Sequence, residues 1–452
     1  MRTQLDWSDY RDRGMGDAYA DIPKQGGDFA KAVAVCIRSG VCEQPGNGVM
    51  CPSFKVSADP SLSPGGRVRA LKQALNHPEP GYWLDDPQVA ATLELCVSCK
   101  GCQRECDNNL DMASIKVEYL AQQRLRGRAR LRQRLFARFP LWLHRAPWLG
   151  QLIRWRNRHP WLAALGEQLF GLAARVPLPE PAAHPFAPRQ SWFEPLTPKA
   201  EGREVVLWVD SFTSQFAPEQ AEQALRLLRL AGYRVRVVHP GSVAGVMLDS
   251  GRTLLAQGWV AEAREQARCL LAALEPQLQR GLPIIGLEPA ALLMLRDEYR
   301  QLQLGPLAEL ARKRALLLEE FLAHEQQAGR LALRFAPQAR RLLVHGHCHQ
   351  KASGAMKSLR RLLKLIPDLD FQFIEASCCG MAGTFGLEAE HVALSHQMAA
   401  QALLPALALE PEAELLCNGM ACRHQIQVLT GRQPRHLVSL LLAALEPDAV
   451  PI

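Results

Sequence analysis

The sequence predicts a multi-domain α+β chain, in which a helical, ferredoxin-type cysteine unit is followed by two α/β repeats. Three observations lead there. The 13 cysteines are clustered: seven lie between Cys36 and Cys106, five between Cys348 and Cys422, and Cys269 stands alone. From residue 201 onward, short β-type runs alternate with helical stretches, the order that builds a largely parallel sheet. The second half also repeats itself. Ser242-Val-Ala-Gly245 aligns with Ser377-Cys-Cys-Gly380, and Gly286-Leu-Glu-Pro-Ala-Ala291 with Cys417-Asn-Gly-Met-Ala-Cys422, so two copies of one unit are expected, packed with pseudo-twofold symmetry. The 452 residues leave room for two to four domains at roughly 150 residues each. With 48% hydrophobic and 22% charged residues, wholesale disorder and collagen-like structure are excluded. The chain is too long and too poor in cysteine for a small disulfide scaffold.

The elements follow in order. Residues 1–27 read as a polar N-terminal arm. Residues 28–120 form the first cysteine unit, with turns at Gln44-Pro-Gly-Asn-Gly48 and Ser63-Pro-Gly-Gly66 and helices over Val89–Leu95 and Met112–Leu125. Residues 121–200 form an Arg- and Trp-rich helical segment interrupted at Pro140, Pro147 and Pro160, because proline ends helices; it closes in the linker Val176-Pro-Leu-Pro-Glu-Pro181. The first repeat, 201–330, is expected to hold strands Glu204–Val209, Tyr233–Val238 and Leu282–Leu287, with helices Pro218–Ala231 and Ala261–Arg280. The second, 331–452, holds strands Arg341–His345, Phe371–Ile374 and Glu414–Cys417, with helices Ser358–Ile366 and His391–Leu409.

The N-terminus is polar and lacks the apolar core of a secretory signal. No window holds 18 apolar residues, so no bilayer-spanning helix is expected. The expected location is the cytoplasm, where thiols stay reduced and clustered cysteines are more often metal ligands than disulfides. Net charge is +8, yet residues 121–160 alone carry 11 arginines and no acid, so the rest of the chain is slightly acidic. Interleaved with Trp142, Trp148 and Trp155, this segment suits docking to a flavoprotein or peripheral attachment at the inner face of a membrane. Its plainer reading is a solvated basic face packed on the neighbouring domain. Nucleic-acid binding by base stacking has the least support.

Cys96-x2-Cys99-x2-Cys102-x3-Cys106 is a run that grips a cubane iron–sulfur cluster: the two-residue spacers let one tight loop aim three thiolates at three irons. In two-cluster ferredoxins the fourth thiolate serves the other cluster. A zinc ribbon is the competing reading. The partner motif, Cys36-Ile-Arg-Ser39-Gly-Val-Cys42 followed by Cys51-Pro52, keeps the frame but has Ser39 where a thiolate would stand, and eight residues before Cys51. By the cross-over rule, Cys96, Cys99, Cys102 and Cys51 complete one [4Fe–4S] cluster. Cys36, Cys42 and Cys106 remain for a second site with three thiolates. That site is open to [3Fe–4S], to [4Fe–4S] with an oxygen or solvent ligand, or to no cluster.

The second group comprises Cys348 in His345-Gly-His-Cys-His-Gln350, the pair Cys378-Cys379-Gly380, then Cys417 and Cys422. In an α/β fold these positions fall at the carboxyl ends of strands, where loops converge on one crevice, so five thiolates can meet there. Neighbours Cys378 and Cys379 cannot both bind one small tetrahedral ion without strain; a larger cluster or a dithiol/disulfide redox pair suits them better. His345, His347, His349 and His424 lie near enough in sequence to orient or protonate a group there or to serve as ligands, although such residues are more often hydrogen-bonded and structural. Cys269, in a helix, reads as plain core.

Cys36–Gly66 and Leu95–Cys106 resemble the iron–sulfur half of large bacterial FAD-linked oxidases of the D-2-hydroxyglutarate and D-lactate dehydrogenase-like type, which join a flavin domain to a dicluster ferredoxin domain and a CCG domain. That pattern also has three cysteines and a long spacer in its first motif, so Ser39 fits it. Asp107 departs from it, where a proline usually follows the cysteine. Residues 201–445 are similar to the CCG domain of heterodisulfide-reductase-like proteins. The resemblance implies a metal or redox site at Cys348, Cys378, Cys379, Cys417 and Cys422, holding a non-cubane iron–sulfur cluster, zinc or little. The closing Cys-x4-Cys, in place of Cys-x2-Cys, makes Cys417 the doubtful member. Val243, Ala244 and Ala291 stand at the matching places of the first copy, which is therefore expected to bind no thiolate-held cluster.

There is no G-x-G-x-x-G after a strand and no P-loop, so no FAD is expected on this chain. The expected function is the iron–sulfur electron-transfer subunit of a flavin-linked 2-hydroxy-acid dehydrogenase, of the D-2-hydroxyglutarate, D-lactate or glycolate class. It would relay electrons from a separate FAD subunit to the CCG site, a quinone or another acceptor. The alternatives are a heterodisulfide-reductase-like thiol/disulfide oxidoreductase acting at Cys378 and Cys379, and a non-redox module with structural metal.

Overall fold

The computed structural model describes residues 2–10, 21–44, 46, 48–187 and 203–446. Part of the expected N-terminal arm (1 and 11–20), Pro45 and Asn47 of the first turn, the end of the linker (188–202) and residues 447–452 lie outside the described residues.

The first cysteine unit is helical, and three of its helices start by the same device. A side-chain oxygen takes orphan backbone N–H groups of the first turn, twice with proline at the first helical position, where no N–H is needed. Ser63 accepts from the Gly66 amide at 2.8 Å ahead of Pro64–Leu75. Asp86 accepts from Gln88 and Val89 ahead of Pro87–Glu94. Asp111 accepts from Ser114 ahead of Met112–Leu125. The sequence places Met112–Leu125 correctly and sets the other helix, expected over Val89–Leu95, two residues late at its start.

One expectation fails in the arginine-rich segment. Pro140 does not end a helix but lies inside Leu131–Arg145. The turn around it is tied to the first sheet's unit: the Ala137 carbonyl accepts from Thr253 Oγ1 at 2.9 Å and the Pro140 carbonyl from Gln215 Nε2 at 3.2 Å. Pro147 does separate this helix from Leu149–Arg158, and Pro160 occupies the first turn of Pro160–Phe170.

Two parallel sheets follow, and the mixed α/β class holds. In the first, β1 (Glu204–Trp208), β2 (Arg234–Val238), β3 (Ile284–Gly286) and β4 (Ala315–Leu317) lie in the order β2-β1-β3-β4. In the second, β5 (Arg340–Val344), β6 (Leu369–Phe373) and β7 (Glu414–Leu416) lie in the order β6-β5-β7. Leu207 pairs with Val237 and Ile285, and Leu343 with Gln372 and Leu415. The first three strands of each sheet thus share one order. β4, three residues long, has no counterpart and was not foreseen.

The two-residue period of a strand sorts the cores. Val206 and Trp208 of β1 join the core of the first cysteine unit, whereas Val205 and Leu207 face the second sheet together with Leu342 and Val344 of β5. Leu343, Leu415, Cys378, Cys379, Cys417 and Cys422 form a third core beyond β5. The first sheet therefore separates the core of the first cysteine unit from the core it shares with the second sheet, and Leu343 of β5 faces away from that shared core toward the second cysteine group. The described start of the N-terminal arm is docked: Leu5 and Trp7 are buried, and Glu118 accepts hydrogen bonds from the Leu5 amide and Trp7 Nε1.

A second expectation needs correcting. One helix, Val392–Leu409, is long and apolar enough by mean hydropathy to cross a membrane, although no 18 consecutive residues are apolar. Ser395, Met398, Ala399, Leu403 and Leu407 form its buried face.

Candidate functional site

The loop Cys96–Cys102 folds back on the loop before Pro52–Ser57. Gly101 makes this approach possible, since a Cβ there would lie 2.8 Å from the Met50 amide nitrogen. As a result Cys51, Cys96, Cys99 and Cys102, all buried, line one small cavity with Arg67, Lys100, Leu110 and Met112.

Arg67, 1% exposed, belongs to no sequence motif. Its guanidinium donates to Cys51 Sγ at 3.3 Å, to Ser53 Oγ at 2.7 Å and to the Thr92 carbonyl at 2.8 Å. Burial alone would push the Cys51 thiol up; the Arg67 charge and hydrogen bonds from Ser53, Phe54 and Arg67 hold it below its ordinary value. Burial and the neighbouring thiols drive Cys99 and Cys102 well above theirs. A second buried cation, Lys100, donates to Asp297 at 2.7 Å and lies 3.7 Å from Asp111 and 3.5 Å from Glu298. Burial opposes its charge, but the three carboxylates keep it protonated. Lys116 donates to the carbonyls of Glu94 and Cys96 at 3.2 and 2.5 Å. Four thiols around a cavity, with a guanidinium already donating to one sulfur, are a donor set that fits an anionic iron–sulfur cluster.

Cys36, Cys42 and Cys106 are half-buried on the core of the same unit. Cys36 and Cys42 lie close enough to influence each other electrostatically. Asn108 ties the turn after Cys106 to the Val35 carbonyl at 2.5 Å, beside Cys36. Ser39 is exposed.

The second group gathers behind the other sheet. Cys348 opens the helix Cys348–Ser353 after β5, Cys378 and Cys379 lie in the turn after β6, and Cys417 directly follows β7. Cys378, Cys379, Cys417 and Cys422 share one buried core, in which the Cys379 thiol donates to Cys422 Sγ at 3.3 Å, and Cys348 is near enough to Cys378 to shift its ionisation. Cys417, the doubtful member by spacing, is thus within the group. Hydrogen bonds from Cys348 and Cys379 pull the Cys378 thiol well below its ordinary value. The turn demands Gly380: its φ is 91°, and a Cβ would lie 2.0 Å from the Ser395 carbonyl oxygen.

The two groups adjoin. Cys348 packs against Cys99 and Val49, and His349 Nε2 lies 3.1 Å from the Ser98 carbonyl. The four histidines separate by environment. His347 caps its helix, accepting from the His349 amide at 3.1 Å. His424 pairs with the Pro177 carbonyl at 2.9 Å, away from the thiols. His345 has no partner on either ring nitrogen. The buried polar groups beside the carboxyl ends of the first sheet carry oxygen, not sulfur. Ser211 follows the helix-capping Asp210 as Cys348 follows His347, and Asp249 and Glu288 are buried nearby in the chain fold. Ala291 is buried, but Val243 is exposed. Cys269, half-buried, packs on the first core.

Six of the segment's eleven arginines meet acids of the chain, Arg138 among them through Glu262 at 3.8 Å. Arg124 pairs with Glu262, Arg126 and Arg128 with Asp85, Arg130 with Glu94, and Arg132 with Glu388 and Glu390. The segment exposes apolar side chains beside charged ones: Trp148, Trp155 and Trp161 are 60, 49 and 60% exposed, alongside Leu152, Leu165 and Leu169, and Arg145 and Arg158 are exposed next to them.

Residues 32–110 match the 4Fe-4S dicluster domain family. Over 92% of its length the chain is 23% identical to D-2-hydroxyglutarate dehydrogenase of Escherichia coli (strain K12) and 26% identical to that of Pseudomonas putida. These alignments cover 45% and 43% of the relatives, so the chain spans less than half of their length. Over 54% of the chain it is also 25% identical to one of the subunits of the anaerobic glycerol-3-phosphate dehydrogenase of Escherichia coli (strain K12), covering 59% of that protein.

Proposed function

We propose that this chain, which carries a 4Fe-4S dicluster domain, is the iron–sulfur electron-transfer subunit of a flavin-linked 2-hydroxy-acid dehydrogenase. Its substrate class is D-2-hydroxyglutarate, D-lactate or glycolate. Electrons arrive from a separate FAD-bearing subunit and leave to a quinone or another acceptor. The observation that carries this reading is the cavity walled by Cys51, Cys96, Cys99 and Cys102, one wall of which, Cys99, packs on Cys348. Bound there, a [4Fe–4S] cluster takes and passes electrons singly. The residues around it define a direction. Cys36, Cys42 and Cys106 are half-buried, as an entry point near a partner needs, and Cys348 leads inward to the second group. The names of the relatives support the substrate class, and the length of those relatives beyond this chain supports a partner. The exposed Trp148–Leu169 face is where we place attachment to that partner or to a membrane surface.

Burial argues against thiol/disulfide exchange with a soluble substrate as the main activity, since Cys378 and Cys379 are 3% and 2% exposed and such exchange needs an accessible sulfur. The relay is tested by adding a 2-hydroxy acid to the chain with and without its flavin partner. Bleaching of the cluster's visible absorption is expected only when both are present. Bleaching by substrate with this chain alone would refute the need for a partner.

A further inference from the structure

We infer that the helix Met356–Leu363, together with Arg104, is a docking surface for a small acidic redox protein that takes electrons from this chain. The inference rests on the electron-relay reading above and gives its acceptor a chemical class. Lys357, Arg360, Arg361 and Lys364 are all exposed. Their spacing puts them on one face of the helix, and the opposite face, Leu359, Leu362 and Leu363, is buried. None of the four cations makes an ion pair or a side-chain hydrogen bond among the described residues. Asp370 of β6, close by in the chain, is taken by Arg341 at 2.9 Å. Arg360 lies over the Phe373 ring, 4.4 Å from its centroid, which holds one charge of the stripe in place.

Helix stability does not account for this arrangement. Like charges three or four residues apart on a helix repel, as Lys357 does with Arg360 and Arg361, and Lys364 with the same two. The helix dipole favours Arg360 and Arg361 in the last turn and opposes Lys357 in the first. The stripe also stands beside the cysteine sites. Arg104 belongs to the helix Gly101–Glu105, which carries Cys102, and is exposed. It donates to the Ala352 carbonyl at 3.3 Å and lies against Gly354, where a Cβ would come within 2.9 Å of its guanidinium. Gly354 ends the helix that Cys348 opens and leads into Met356–Leu363. A protein seated on the stripe is therefore held next to the helices that carry Cys102 and Cys348.

The surface chemistry selects the partner. The leucines of this helix point inward, so it offers a bilayer nothing apolar to insert, unlike the Trp148–Leu169 face. A nucleic acid would need an open ring for base stacking, and Phe373 is half-buried under Arg360. Transient redox partners use small contacts, and complementary charge speeds their encounter without requiring tight binding. The step is a one-electron transfer. The reduced chain loses one electron, the metal centre of the acceptor gains it, and no bond is made or broken.

The test offers one haem protein in two charge states, native cytochrome c, which is basic, and succinylated cytochrome c, which is acidic. The full chain, purified without oxygen, is reduced with dithionite and freed of excess reagent. Chemical reduction keeps the outcome separate from the flavin reading. In stopped flow, the chain should reduce the acidic cytochrome at a rate that falls steeply as ionic strength rises. In Lys357→Glu/Arg361→Glu/Lys364→Glu that rate should fall at least about tenfold, while the basic cytochrome should react faster than with the wild type. The milder Lys357→Gln/Lys364→Gln should lie between the two. Unchanged iron content and cluster absorption report correct folding. An unchanged rate with the acidic cytochrome in both variants would overturn the assignment. So would an unchanged rate with loss of cosedimentation with phosphatidylglycerol vesicles, because the stripe would then be a membrane contact.

Discussion

Arg67 is the side chain on which the electrostatics of the ferredoxin-type cavity turn. Its charge is surrounded by protein, and one of its hydrogen bonds ends on Cys51 sulfur. If the proposed cluster is held through Cys51, its reduction adds negative charge at that sulfur, and a donor and a positive charge there would favour the reduced state. Removing them should lower the midpoint potential. A hydrogen bond to a charged group contributes about 1.5–3 kcal/mol, and for one electron about 59 mV corresponds to a factor of ten, so the hydrogen bond alone accounts for at most about 130 mV of the change in Arg67→Met. Redox titration followed by electron paramagnetic resonance should show a fall of tens of millivolts, partly recovered in Arg67→Lys. An unchanged potential would show that Arg67 only packs.

The elements of the first sheet gather buried carboxylates at its carboxyl end. At the carboxyl end of β1, Asp210 caps the helix Ser211–Phe216 by accepting from Phe212 and Thr213. Asp249 accepts from Ser211 Oγ at 2.6 Å and from the Ser250 amide at 2.8 Å. Burial, opposed by the Ser211 hydrogen bond and reinforced by Asp210, pushes Asp249 up from 3.8 to about 6. The folded chain therefore holds this proton more tightly than the unfolded chain does. Stability falls as pH rises from 3.8 to about 6, then no longer depends on this group. The full span is worth about 3 kcal/mol. In Asp249→Asn that slope should vanish. Urea midpoints of variant and wild type, compared at each pH so that acid loss of clusters cancels, should converge at the acid end and separate above it. Parallel curves would mean that Asp249 does not titrate in this range. The same crevice is bound to the cluster loop through Lys100, which bridges Asp111 of its own unit to Asp297 and Glu298 beside the first sheet.

At the scale of the whole molecule, the arginine segment presents apolar and charged side chains on one surface. Internal acids take up part of the charge, and the helices Leu149–Arg158 and Pro160–Phe170 present tryptophan and leucine outward beside the exposed Arg145 and Arg158. A large exposed apolar patch marks an interaction surface. Attachment through it should persist at high salt, because burial of apolar area is not screened as surface ion pairs are. Replacing Trp155 and Trp161 by serine should abolish cosedimentation with vesicles containing phosphatidylglycerol if the surface is a membrane. If the variant still sediments with vesicles, the face belongs to the flavin partner, and complex formation with that partner should be lost instead.

Local chemistry determined what could be read without coordinates. The two-residue cysteine spacers, the alternation of strand and helix and the helix Met112–Leu125 depend on neighbours within a few positions, and all are legible in the chain. The six expected strands appear within two residues of their places for the same reason. Tertiary structure decided the rest. Pro140 lies inside a helix that packs on distant elements, with its Ala137 and Pro140 carbonyls accepting from Thr253 and Gln215, more than seventy residues away in sequence. Arg67 meets Cys51 sulfur only when a helix and a loop pack together. The three-residue β4 is too short to carry a periodic signal. The contact of Cys99 with Cys348 and the isolation of His345 among thiols join residues from distant parts of the chain. Spacing shows which side chains can bind a metal or cluster, and only packing shows which of them share one site.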